Sequence, residues 1–225
     1  MIDYNLITYL EQFVSERRRE LFKQVLEERT RHFTVAIEDI YQSHNASAVV
    51  RSCDVFGIQD VHIIENKYKF STSKQVSKGA QKWLDFEYYR QKDINNTLDC
   101  IKNLRNKGYQ IVATTPHNDS CYLQDFDVSK KSAFFFGVEK AGLSKEVLNN
   151  ADVNLKIPMV GFTESLNISV AAAIILQSTT EKLKKSNIKW QLSSAEKEEE
   201  YLKWLEKSIK SIKKIKEYFY SKTIT

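Results

Sequence analysis

Three consecutive phenylalanines, Phe134, Phe135 and Phe136, constrain the fold of this chain more than any other feature. A strand alternates its side chains between two faces, so an unbroken aromatic run places large apolar groups on both. Such a strand needs cover above and below, as the inner strands of a parallel sheet have. The neighbouring pattern agrees with that arrangement. Apolar runs read as strands at 35–40, 61–65, 86–90, 109–114, 133–136 and 153–157. Between them, 3.6-residue periodicity marks helices at 46–56, 93–106, 143–150 and 165–185, with Gly57 and Gly108 as stops and an acidic cap at Asp93. Strands alternating with helices predict an α/β fold with a mostly parallel sheet flanked by helices. Helical extensions are expected at both ends, over 4–28 and 195–220, so the domains read as 1–32, 33–187 and 188–225.

Ligands of such sheets sit at the carboxyl ends of the strands. Here those ends carry residues 114–116, 137–142 and 159–161, which read as walls of one pocket. The segment 155–173 is the most telling. An apolar strand breaks at Pro158 and Gly161, then Ser165 and Asn167 stand where a long apolar helix begins. Pro removes a ladder donor, and Gly permits a left-handed turn or a close approach to a ligand. A turn with bare backbone groups ahead of a buried helix suits a flat polar cofactor.

Charge and cysteine content narrow the class. The formal net charge of +5 is modest, but Arg17, Arg18, Arg19, Lys23, Arg29 and Arg31 cluster before the first strand, and lysines recur beyond residue 181. Basic ends of this kind bind phosphates; the plainer alternative for the carboxyl tail is a solvated helix face. The cysteines Cys53, Cys100 and Cys121 are odd in number and widely spaced, which fits reduced thiols in a cytoplasm and no zinc site. The four histidines do not group for metal ligation either. No apolar run is long enough for a membrane span, and no secretory signal is read at the amino terminus. No Gly-x-Gly-x-x-Gly follows a strand, which excludes a nicotinamide enzyme of the usual type.

Residues 45–51 (Asn45 to Arg51), 136–144 (with Gly137, Glu139 and Gly142) and 157–171 (with Gly161, Ser165 and Asn167) together resemble, in order and spacing, the three motifs of the SpoU (TrmH) family of RNA ribose 2′-O-methyltransferases. The likeness runs over about residues 30–185. The amino-terminal basic residues, 33–38, His44-Asn45 and 51–54 resemble the branch of that family acting on guanosine 18 in the D-loop of tRNA. In that comparison the residues ahead of Glu16 are additional, and 161–165 departs from a commonly more apolar sequence by placing Glu164 beside the pocket.

The resemblance implies a trefoil knot in the carboxyl half of the catalytic domain, S-adenosylmethionine as cofactor, RNA (tRNA first) as partner and a homodimer. It implies that Arg51 is catalytic, with Asn45, Glu139, Ser165 and Asn167 around it. Thr114, Gly137, Ile157, Met159 and Leu166 would contact the cofactor, mostly through backbone. Arg17, Arg18, Arg19, Arg29 and Arg31 would contact RNA. A guanidinium is a poor base because its pKa exceeds about 12. Arg51 therefore either orients the hydroxyl and stabilises its developing negative charge, or loses a proton transiently with help from phosphate. If Asn45 caps its helix, its side chain fixes the chain entry. Glu139, Ser165 and Asn167 each have a purely structural alternative as helix-terminus residues. Two rival functions remain open: the same chemistry on another tRNA or ribosomal-RNA nucleotide, and a non-catalytic RNA-binding or assembly factor.

Overall fold

The computed structural model describes residues 2–116, 121–138 and 142–223. The chain opens with helices α1 (Tyr4–Glu11) and α2 (Glu16–Glu27), followed by β1 (Phe33–Glu38), α3 (Ser43–Val55) and β2 (Asp60–Ile64). A short helix α4 (Lys74–Ser77) leads to β3 (Asp85–Tyr89), α5 (Asn96–Asn106), β4 (Gln110–Thr114) and the brief β5 (Cys121–Tyr122). Then come β6 (Ser132–Phe136), α6 (Lys145–Asn150), β7 (Val153–Lys156), α7 (Ile168–Lys184), α8 (Ser194–Ser208) and α9 (Ile212–Thr223).

The seven strands form one sheet in the order β3-β2-β1-β6-β4-β7-β5, and every pairing is parallel. Strand β6 lies between β1 and β4, with Ala36 opposite Phe135 and Val112 opposite Phe134. Its three phenylalanines are fully buried and split by parity. Phe134 and Phe136 join one cluster with Val49, Val50, Ile168 and Leu176 from α3 and α7. Phe135 joins the other, with Cys100, Ile101 and Leu104 of α5 and Val147 of α6. Each ring contributes about 2 kcal/mol by leaving water, so this strand fixes the sheet between its two helical layers.

The chain divides into two compact units, Thr30–Trp190 and a second made of Met1–Arg29 with Gln191–Thr225. In the second unit Leu6, Leu10, Phe22, Leu26, Trp204 and Leu205 are buried, with the Phe22 and Trp204 ring centroids 5.6 Å apart. The helical stretch read over 4–28, whose polar segment from Ser15 to Arg19 could mark a break, is two helices: α1 ends at Glu11 and Ser15 takes an extended backbone ahead of α2. The carboxyl-terminal helix also divides, at Ser211 with its left-handed φ of 56°. Asp93 does not cap α5: Asn95 does, accepting from Leu98 N at 3.0 Å, while Asp93 sits at φ 61° in the preceding turn. Among the described residues no helix is long and apolar enough to cross a membrane.

Candidate active site

At the carboxyl ends of β4, β6 and β7 a cavity of about 330 Å³ opens. Its size is that of small-molecule sites in general. Thr114, Thr115 and Pro116 form one wall, Gly137, Val138, Gly142 and Leu143 a second, and Ile157, Met159, Glu164, Ser165 and Leu166 a third. Ile168, Ala171 and Ile175 of α7 close the base. All five residues expected at a cofactor, Thr114, Gly137, Ile157, Met159 and Leu166, line this one space. Glu164 is the one carboxylate among the described lining residues.

The second wall depends on a glycine. Val138 and Gly142 exchange two backbone hydrogen bonds, at 3.2 and 2.8 Å, and Gly142 takes a left-handed φ of 68°. A Cβ on Gly137 would lie 2.2 Å from the Gly142 carbonyl oxygen, so only glycine fits there. Of the two roles read for Gly161, the left-handed turn is not taken: its φ is not positive, and open space surrounds its missing Cβ. Sequence reasoning passed over Glu38, whose buried carboxylate accepts from Ser144 N at 2.9 Å, Ser144 Oγ at 2.7 Å and Thr97 Oγ1 at 2.6 Å. Ser144 in turn caps α6 through Val147 N, so Glu38 fixes the start of that helix, directly behind the Gly137 loop. A charge ending the apolar run of β1 was the available signal.

Asn45 and Asn167 meet. Asn167 is the N-cap of α7, accepting from Ser169 N at 2.9 Å and Ser169 Oγ at 2.6 Å. Its Nδ2 donates to Asn45 Oδ1 at 3.2 Å, and Asn45 donates to Gln42 Oε1 at 2.7 Å. Asn45 is not itself the helix cap: α3 begins at Ser43, and Gln42 holds the N-cap position. This frees the Asn45 side chain to reach the neighbouring helix, along which α3 packs. Ser165 does not cap α7 either; it lies in the cavity lining. Arg51 is exposed on α3, between one and two turns beyond Asn45, and makes no hydrogen bond or ion pair with the described residues. Its guanidinium is thus available to a ligand. Glu139 lies outside the described residues.

The basic residues divide sharply. Arg17 and Arg18 are exposed on α2, and Arg19 is held 3.6 Å from Glu11. Arg29 does not fit the RNA-contact expectation: it is 2% exposed, its guanidinium 5.4 Å from the centre of the Trp204 ring. Arg31 does not fit it either, being paired with Asp60 at 3.1 Å and Asp85 at 3.0 Å. Those partners begin β2 and β3, so Arg31 neutralises the amino edge of the sheet, opposite the cavity. Among the described residues no group of His, Cys, Asp or Glu is placed to hold a metal ion.

The chain matches the SpoU rRNA Methylase family over residues 32–177. It is 40% identical over 205 residues to a tRNA (guanosine(18)-2′-O)-methyltransferase of Borreliella burgdorferi, covering 91% of this chain and 92% of the relative. A Thermus thermophilus protein of the same name is 35% identical, covering 72% of this chain and 81% of the relative. Among solved structures, the A. aeolicus TrmH/SpoU tRNA modifying enzyme superposes with a TM-score of 0.77 at 30% identity, covering 87% of this chain and 98% of that one.

Proposed function

The chain belongs to the SpoU methylase family, and on that footing we propose that it transfers a methyl group from S-adenosylmethionine to a ribose 2′-hydroxyl of tRNA, at guanosine 18. The observation that carries this reading is the meeting of Asn45 with Asn167 next to the segment 164–166 that lines the cavity. The first and third motif segments meet in that pair, and the second and third share the cavity lining.

The residues present fit the cofactor. The Gly137–Gly142 loop is a wall that a single Cβ would disrupt, and segments after β4 and β7 offer backbone groups around an apolar base. When bound, S-adenosylmethionine supplies the methyl group as an electrophile on a positively charged sulfur. Glu164 adds a carboxylate that favours a cation in the cavity. The Arg51 guanidinium serves the RNA side, binding phosphate and orienting the 2′-hydroxyl, whose developing negative charge it stabilises. Asn45 and Asn167 hold α3 and α7 in the register this requires. Positioning of the hydroxyl supplies much of the acceleration. Glu139, on the Gly137–Gly142 loop, is assigned to orienting Arg51. Arg17, Arg18 and Arg19 of the terminal unit are assigned to RNA phosphates.

The reading extends to a knotted chain and a homodimer in the cytoplasm, as in the family. An exposed apolar stripe of Leu166, Val170 and Ile174 on and beside α7, with fully exposed Val160 and Phe162, supports the pairing of two copies. The test incubates the purified protein with labelled S-adenosylmethionine and unmodified total RNA, then maps ribose methylation. Label at guanosine 18 is the expected outcome; label on a base, or none, overturns the activity. Label confined to ribosomal RNA favours the second reading, for which the family description speaks.

A further inference from the structure

Two tyrosines stand on the loops that follow β1 and β2, clear of the cavity lining. Tyr41 is 53% exposed and Tyr68 48%, and their ring centroids lie 5.4 Å apart at 48°. Because β1, β2, β4, β6 and β7 run parallel, these loops emerge from the same edge of the sheet as the cavity loops. The two rings meet at a tilt, and about half of each side chain stays in water.

The pair is held in place. Asp39, at φ 52°, accepts on Oδ1 from the backbone nitrogens of Asn66 at 2.8 Å, Lys67 at 2.8 Å and Tyr68 at 3.3 Å. Asn66 also donates to Thr97 Oγ1 at 2.8 Å, and Thr97 donates to Glu38. On the other side, Gln42 Nε2 donates to Tyr41 Oη at 3.1 Å, while Gln42 Oε1 accepts from Asn45. One line of hydrogen bonds therefore runs from Tyr41 through Gln42 and Asn45 to Asn167 at the start of α7. Lys67 and Lys69, both exposed, flank Tyr68 in sequence.

Exposed aromatic rings interleaved with lysines are what an unstacked nucleobase needs: a π-face to stack on and cations for the adjoining phosphates. Fixed loops remove the ordering cost that a mobile tyrosine would carry. We infer that Tyr41 and Tyr68 form a stacking platform for an unstacked base of the RNA substrate, next to the nucleotide whose ribose is presented to Asn45 and Arg51. The platform rests on the RNA reading of the site and adds to it a base-contacting element outside the three motifs. Its contribution is to RNA affinity and to the choice of nucleotide, since phosphate contacts alone carry no sequence information.

The test uses the full chain with unmodified tRNA transcript and labelled S-adenosylmethionine, reading KM for each substrate and tRNA affinity by filter retention. Tyr68 is the position to change, because Tyr41 accepts a hydrogen bond from Gln42 and its loss perturbs Asn45. Y68A and Y68L each raise the tRNA KM and Kd about tenfold, the usual worth of one stacked base. Y68F stays within twofold of the parent, and KM for S-adenosylmethionine stays within twofold throughout. Leucine keeps the apolar bulk that ties the loops together but has no π-face, so a merely structural ring survives Y68L. Tight tRNA binding by Y68L, or a loss in Y68F equal to that in Y68A, overturns the platform. A parent protein that binds tRNA without methylating it removes the proposed activity, while the binding series still decides on the platform. A parent that binds no tRNA removes both.

Discussion

Asn167 donates to Asn45 at 3.2 Å across 122 residues of chain, tying the first turn of α3 to the N-cap of α7. The same Asn167 side chain caps α7 through Ser169, so one residue has both a local and a long-range duty.

Substitution separates the two duties. Asn167→Ala removes the cap and the pair, and lowers unfolding stability by about 1 kcal/mol, the ordinary worth of an N-cap. Asn167→Asp retains a capping oxygen but turns a donor into a second acceptor facing Asn45 Oδ1. Stability in urea is then nearly preserved, while methyl transfer falls in both variants. Equal activity of Asn167→Asp and the parent would remove the pair from the mechanism.

Arg51 is exposed and has no hydrogen-bond or salt-bridge partner among the described residues. Arg51→Ala is therefore expected to leave the thermal midpoint unchanged. Turnover drops by about a hundredfold or more, the scale of losing one charge-stabilising donor. Calorimetric titration with S-adenosylmethionine should give an affinity within twofold of the parent.

A methyl group at position 137 collides with the Gly142 carbonyl at 2.2 Å. Gly137→Ala must open the loop that forms one wall of the cavity, and cofactor affinity is expected to fall at least tenfold. Gly161→Ala meets open space and should weaken binding far less. Circular dichroism of both variants checks that the sheet persists.

The His62 imidazole is 2% exposed, with Nδ1 3.3 Å from Tyr89 Oη and 3.5 Å from the Glu87 carboxylate. Burial outweighs the pull of Glu87, and its pKa is pushed down to about 4. As pH falls below the ordinary histidine value of about 6.5, the unfolded chain gains a proton that the native one refuses. Stability from this residue is thus complete above that pH and is lost on the way down to pH 4. Between pH 7 and 5 the loss is roughly 2 kcal/mol. His62→Gln should show a flatter decline of thermal midpoint over that interval; a parallel decline contradicts the assignment.

Legibility varied with the range of the forces involved. The parallel sheet was readable because Phe134, Phe135 and Phe136 leave no solvent face, and the cavity because three strand ends share one edge. Helix ends were read less well. Asn45 looks like a cap by residue type, yet its oxygen serves Asn167, a partner no local pattern reveals. Gly161 drew notice for its setting, while the glycine that sterics demand is Gly137. Arg29 and Arg31 counted as surface charge because composition carries no partners; Trp204 and the Asp60–Asp85 pair lie far along the sequence.

The packing of Arg29 on Trp204 has a temporal corollary. Phe22 and Arg29 are synthesised early, but their ring partner arrives only with α8, after the whole sheet has left the ribosome. During synthesis α1 and α2 therefore lack the apolar cover of Trp204 until α8 is made. Losing the last two helices would leave the earliest ones greasy and unsheltered, a target for chaperones and proteases.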